Sequence, residues 1–115
     1  MSDEECSVAQ IGRILADSTT RQILRTIREE SMSAEDLSNT AETSTPTIYR
    51  RLNELRQCEL LIEQTQLDPD DGHHHAQFQT DLERIIVELT DGDFRVTIDH
   101  HEAMADRFTR LIEGI

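Results

Sequence analysis

Apolar positions in the first half of the chain recur at helical spacing, and those in the second half mostly alternate. Val8, Ile11 and Leu15 stand three and four apart and predict a first helix ending near Asp17, where Asp17 or Ser18 can cap the next. Ile23, Leu24 and Ile27 share one face of a second helix over about Thr19 to Glu30, with Arg21, Arg25 and Arg28 elsewhere on it. Ser33 with Asp36 three residues on reads as a capping box, with Asp in place of Glu, and opens a short helix to about Ala41. Glu42, Thr43 and Ser44 form a turn. Thr45 then serves as N-cap, with Pro46 at the first helical position, where its missing N–H costs nothing. The helix that follows buries Ile48, Leu52 and Leu55, and the three helical faces predict a core of Ile23, Leu24 and Ile27 on Leu37, Ile48 and Leu52.

Two hairpins and a last helix complete the pattern. Ile62 to Leu67 is a strand, Asp68-Pro69-Asp70-Asp71-Gly72 a turn, and about His75 to Thr80 a largely polar return strand. Asp91-Gly92 is a favoured two-residue hairpin turn. Counting outward from it pairs Leu89 with Phe94, Val87 with Val96 and Ile85 with Ile98 on one face, and Glu88 with Arg95 on the other. From about Glu102 to Glu113 a helical stripe of Met104, Phe108, Leu111 and Ile112, continued by Ile115, is apolar enough to need a partner.

The stretch 33–63 organises the rest: two helices joined by a polar turn, then a strand. At 100° per residue, Pro46, Arg50, Asn53 and Gln57 lie opposite the buried stripe of the second of these helices, flanked by Thr47, Tyr49, Arg51 and Glu54. Arg pairs bidentately with guanine and Asn with adenine, and N-terminal hydroxyls and amides hold phosphate, so this face suits a DNA major groove. A solvated face of an ordinary amphipathic helix is the alternative. The short helix before it and the polar hairpin after it favour a helix-turn-helix with a wing. The expected fold class is α+β: one winged helix-turn-helix domain over residues 1–115. Its helical core spans about 8–61, its wing 62–80, an additional hairpin 82–99 and a C-terminal dimerisation helix 101–115.

Charge changes this picture. The chain carries 24 acidic residues, 11 Arg and no Lys, a net charge of −13. Acid-rich, Lys-free surfaces suit proteins that stay soluble in molar salt, where self-repulsion is screened, so a halophilic cytoplasm is expected. Residues 18–61 carry a net of about −1 and the remainder about −12, so the acid load avoids the reading segment. No apolar run is long enough to cross a bilayer and no signal-peptide pattern opens the chain. Cys6 and Cys58, far apart in sequence, read as two ordinary thiols in a reducing compartment.

Two segments also resemble a known family. Leu15-Ala16-Asp17-Ser18-Thr19-Thr20-Arg21-Gln22-Ile23-Leu24 is similar to the start of the second helix in ArsR-type winged-helix regulators. Ser44-Thr45-Pro46-Thr47-Ile48-Tyr49-Arg50-Arg51-Leu52 is similar to the start of their recognition helix. The likeness covers roughly residues 8–80 and is shared with PadR and MarR regulators; the acidic, Lys-free composition looks like haloarchaeal transcription regulators. The resemblance implies a dimeric DNA-binding regulator in which Ser44, Thr45, Thr47, Tyr49, Arg50 and Asn53 contact DNA and Arg51 holds phosphate. The chain departs from the family in having Cys58-Glu59 where a small residue and Gly usually follow the recognition helix. It also has no Cys between Ser33 and Ala41, where metal-sensing members carry a Cys-x-Cys pair.

The remaining candidates are weighed against plainer roles. His73, His74 and His75 at the wing tip can touch DNA phosphate, bind a metal or sit in solvent; adjacent strand residues point to opposite faces, so they do not easily ligate one ion. Asp99, His100, His101 and Glu102 are similar to metal ligands on the last helix of some ArsR sensors. The second pair such sites need is missing, Ile occupying position 112, and a helix cap is the plainer role. Cys58, at the end of the recognition helix, is either a redox switch or a small buried residue. No catalytic arrangement, cofactor site or metal set is expected. The expected function is a sequence-specific regulator that binds double-stranded DNA as a homodimer on a palindromic operator, with salt ions bound. DNA contacts come from Ser44, Thr45, Thr47, Tyr49, Arg50, Arg51, Asn53, His73 and His74. The dimer interface comes from Val8, Ile11, Leu15, Met104, Phe108, Leu111 and Ile112. A protein-interaction module that never reads bases, or a metal- or redox-sensing regulator, is the alternative.

Overall fold

The computed structural model describes residues 6–67 and 74–101, and the side chains of 66, 67 and 74 are not described. The chain divides into two compact units, Met1–Thr80 and Asp81–Ile115. The expected terminal helix, with Met104, Phe108, Leu111 and Ile112, lies outside the described residues, as does His73.

Within the first unit, α1 (Val8–Ala16) opens on a full capping box. Ser7 Oγ accepts from the Gln10 N–H and Gln10 Oε1 accepts from the Ser7 N–H, so two orphan donors are satisfied reciprocally. It buries Ile11 and Ile14, while Val8 and Leu15 stand 38% and 39% exposed. The core face is therefore rotated towards Ile14, one position away from the Leu15 that the spacing selected. Asp17 closes α1 and caps α2 (Ser18–Glu29), which buries Thr20, Ile23, Leu24 and Ile27. Ser33 caps α3 (Ala34–Ala41) through the Asp36 N–H at 3.0 Å, as its spacing predicts.

The helix α4 (Thr45–Gln57) starts one residue earlier than expected. Ser44, not Thr45, is the N-cap, accepting from the Thr47 N–H at 3.3 Å, and Pro46 falls in the first turn. Either hydroxyl can cap; the turn geometry after α3 decides which one does. α4 ends as a Schellman motif, with the Leu60 N–H bonded to the Leu55 carbonyl and the Glu59 N–H to the Arg56 carbonyl. Glu59 takes the left-handed conformation, φ 58°, that Gly usually supplies.

The expected core holds: Ile23, Leu24, Ile27, Leu37, Ile48, Leu52 and Leu55 are all buried. Leu60 and Phe78 join it, each at 2% exposure or less. Phe78 arrives on the wing, where β1 (Ile62–Leu67) pairs antiparallel with β2 (His74–Gln79). Met32 and Phe78 exchange both backbone hydrogen bonds at 2.9 and 2.7 Å, and the Thr80 N–H reaches the Ile27 carbonyl at 3.2 Å. The inner strand of the wing is therefore stitched to the helical core.

The second unit is the expected hairpin, β3 (Leu82–Thr90) with β4 (Asp93–His100), in the expected register. Ile85, Val87 and Leu89 face Ile98, Val96 and Phe94, and Glu88 faces Arg95. Asp91 and Gly92 both have positive φ, 53° and 79°, as a type I′ turn requires. Val87, Leu89 and Phe94 remain 49%, 67% and 57% exposed. No described helix is long and apolar enough to cross a membrane.

The cysteines overturn the expectation of two free thiols: Cys6 and Cys58 are disulfide-bonded, with Cα atoms 4.7 Å apart. Fifty-two residues separate them in sequence, and only the packing of α1 alongside α4 brings them together.

Candidate nucleic-acid interface

The outward face of α4 is built from its cap upward. Ser44 Oγ donates to Thr47 Oγ1 at 2.9 Å, and Arg50 donates to that same Thr47 oxygen at 3.3 Å. This chain of hydrogen bonds lays the Arg50 guanidinium along the first two turns, near the amides and partial positive charge of the helix N-terminus. Tyr49 is 52% exposed beside it. Asn53, one turn on, is exposed and accepts from Arg56 at 3.4 Å, while Arg56 also pairs with Glu63 Oε1 on β1 at 2.5 Å. Thr45 and Thr47 are half-buried. The face thus offers hydroxyls, one guanidinium, one phenol and one amide, groups that bond phosphate and base edges.

Arg51 is placed differently. Its Nε lies 3.2 Å from Asp17 Oδ2 and its Nη1 3.7 Å from Glu54. Asp17 also accepts from the Thr20 N–H and hydroxyl, both at 2.8 Å. Burial alone would push the Asp17 carboxyl up. The two Thr20 hydrogen bonds and the Arg51 charge outweigh that and hold it below the ordinary 3.8. One carboxylate therefore ends α1, caps α2 and ties both to α4.

Beside this same face of α4 lies α1. Their contacts run from the Cys6–Cys58 bond at one end to the Asp17–Arg51 pair at the other. Between them lies a cleft of about 270 Å³, lined by Gln10, Arg13 and Ile14 from α1 and Arg50, Asn53, Glu54 and Gln57 from α4. The chain pattern pointed to Arg50 and Asn53. It did not point to Gln10 and Arg13, because nothing in the periodicity of α1 says which neighbour its polar side meets.

Among the other candidates, His74 lies in β2. In the second unit Asp99 Oδ2 accepts from Arg84 at 3.2 Å, and His100 Nδ1 lies 2.7 Å from Asp81 Oδ1. Among the described residues no three His, Cys, Asp or Glu side chains gather as a metal-holding group. Of the residues expected at a dimer surface, Ile11 faces the core at 2% exposure, and Val8 and Leu15 face outward.

No curated protein matches the chain. Residues 15–65, spanning the end of α1 to the middle of β1, match the family model described as a helix-turn-helix domain. Such a domain points to a DNA-binding transcription regulator rather than an enzyme, and with the two small antiparallel sheets it fits a winged helix-turn-helix.

Proposed function

We propose that this protein is a sequence-specific transcription regulator of the ArsR, PadR and MarR type that reads a palindromic operator as a homodimer in a high-salt cytoplasm. The observation that carries this reading is the face of α4. Ser44, Thr47 and Arg50 are linked by hydrogen bonds along its N-terminal half, with Tyr49 and Asn53 exposed beside them. Residues 18–61 are close to neutral within a chain of net charge −13, so phosphate can approach there and is repelled elsewhere. Arg50 and Asn53 read base edges; Ser44, Thr45, Thr47 and Tyr49 hold phosphate. His73 and His74 are assigned to the flanking DNA backbone. Arg51, paired with Asp17, acts by holding α4 in place and meets phosphate only at its free edge.

The dimer supplies two α4 helices about one DNA turn apart. Val8 and Leu15 on the outer side of α1 and the stripe of Met104, Phe108, Leu111 and Ile112 form its interface. The exposed Val87, Leu89 and Phe94 favour a second reading, in which the protein docks another protein and never reads bases.

The test is a titration of the protein's own upstream DNA in multimolar KCl, with wild type and Arg50→Ala side by side. Saturable binding that competitor DNA does not displace, lost in the variant, supports the operator reader. Counterion release is largely gone in molar salt, so affinity should change little, or rise, as cations bridge acidic residues to phosphate. A steep loss of binding between low and molar KCl overturns the halophilic reading. Binding by neither protein, with the dimer intact, favours the interaction module.

A further inference from the structure

The cleft between α1 and α4 is lined mainly by hydrogen-bond donors. Its α4 wall is the ridge of Arg50, Asn53, Glu54 and Gln57, and its α1 wall is Gln10, Arg13 and Ile14. Gln10 Oε1 is already engaged, accepting from the Ser7 N–H, and Asn53 Oδ1 accepts from Arg56. Each amide is left with its NH2 group, which only donates. Glu54, the carboxylate on the lining, lies 3.7 Å from Arg51. Arg13 and Arg50 are exposed, and Arg50 donates to the Thr47 hydroxyl. Among the described residues neither guanidinium has a carboxylate partner. In a chain with 24 acidic residues against 11 Arg, two such cations on one cleft mark a place open to an anion from outside.

The position of α1 says which anion. At about 100° per residue, Gln10, Arg13 and Ile14 share one sector of α1, and Val8 and Leu15 lie on the opposite side. A partner seated on Val8 and Leu15 therefore leaves the cleft open. The DNA major groove is about 12 Å wide, and a helix with its side chains is about 10–12 Å across. A helix that reads bases fills the groove, so side chains on the helix beside it lie over the bordering sugar–phosphate strand.

We propose that α1 belongs to the DNA interface, Arg13 and the Gln10 amide seating a backbone phosphate beside the groove that Arg50 and Asn53 enter; this rests on the reading of α4 as a DNA-binding helix. The ligand group is a phosphodiester oxyanion. The Arg13 guanidinium offers two parallel N–H donors to two of its oxygens, and the Gln10 NH2 adds a third. Such a contact fixes the register of α4 on the duplex and carries no base information. Gln10 and Arg13 lie outside the helix-turn-helix match, which begins at residue 15. The interface thus extends beyond that motif.

The experiment titrates the full-length wild type, Arg13→Ala, Arg13→Lys and Arg50→Ala with the upstream DNA and with an unrelated duplex of equal length. KCl runs from about 0.1 M to about 1 M, and circular dichroism checks each fold. Arg13→Ala should weaken binding to both duplexes equally, by about tenfold at the lowest salt. One phosphate contact contributes about −0.9 to the slope of log affinity against log salt. The Arg13→Ala slope should therefore be about 0.9 more positive than that of wild type, and the gap should nearly close by about 1 M. Arg13→Lys, which keeps the charge, should keep the wild-type slope and recover most of the affinity. Equal affinity of wild type and Arg13→Ala, with binding lost in Arg50→Ala, overturns the phosphate seat and leaves the DNA reading standing. A loss on the upstream DNA alone places Arg13 on a base edge and overturns the seat. A loss with an unchanged slope makes Arg13 merely structural and does the same. Inorganic phosphate is titrated without DNA as a further arm. Saturation abolished in Arg13→Ala, with DNA affinity unchanged, assigns the cleft to a free anion and overturns the DNA contact. Absence of DNA binding by wild type and every variant overturns the DNA reading and, with it, the seat.

Discussion

Asp17 is the residue on which the helical core can be tested most sharply, because it does three separable things. Its carboxylate caps α2 through the Thr20 N–H, accepts the Thr20 hydroxyl and pairs with Arg51 on α4. Asp17→Ala removes all three. Loss of an N-cap costs about 1 kcal/mol. The Thr20 side chain is fully buried, so stranding its hydroxyl costs about 1–3 kcal/mol. The ion pair is partly exposed, at 26% and 32% for the two side chains, and contributes only about 0.2–1 kcal/mol. The expected loss is about 2–5 kcal/mol, a large share of the stability of a small domain. Asp17→Asn keeps an acceptor for both Thr20 donors and loses only the charge, so it should cost about 1 kcal/mol or less.

Urea denaturation of the two variants, at low and at molar KCl, measures this. With a slope of ~1 kcal/mol per molar urea, the Ala variant should unfold about 2–5 M earlier than wild type. The Asn variant should shift by under about 1 M, and less in molar salt, where the pair is screened. The folded Asp17 pKa lies below the ordinary 3.8, so its ionised form adds stability above that value and loses it as pH falls through the folded pKa. The gap between wild type and Asn should therefore close below about pH 4 and stay constant above it. Equal destabilisation by Asn and Ala would refute the reasoning, since it would place the effect in the charge rather than in the cap and the buried hydroxyl.

Two further perturbations follow from the same packing. Glu59 holds a left-handed conformation, φ 58°, at the end of α4, where a side chain is strained. Glu59→Gly should stabilise the protein by about 0.5–1 kcal/mol, net of the added freedom of the unfolded chain; a drop in the urea midpoint would contradict the strain. Phe78 is 2% exposed and is the wing residue whose backbone pairs with Met32, between α2 and α3. Phe78→Ala should cost about 3–5 kcal/mol and accelerate amide exchange in β1 and β2 before α2 and α3, whereas a loss under ~1 kcal/mol would show that the strand pairing alone anchors the wing.

What the chain by itself determined was local. Ser33 with Asp36, Asp17 before Ser18 and the polar turn before Pro46 carry helix starts in their own chemistry, and each start fell within a residue of its expected place. Asp91-Gly92 set the register of β3 and β4 because a two-residue turn leaves one pairing that matches both faces. The exposure of Arg50 and Asn53 was legible because the buried stripe Ile48, Leu52 and Leu55 defines its own opposite side. Tertiary structure alone decided where each element meets a distant one. Leu15 and Ile14 are equally apolar neighbours on α1, and only contact with the core selects Ile14. Phe78 sits in a polar strand whose alternation does not mark it, yet pairing with Met32 turns it inward. Cys6 and Cys58 become a bonded pair only when the fold brings the start of α1 to the end of α4. The same packing places Asp17 against Arg51 and turns a helix cap into the tie between three helices. Periodicity records which side of an element is buried; it holds no record of the neighbour on the other side of the core, because that is set by the fit of whole faces.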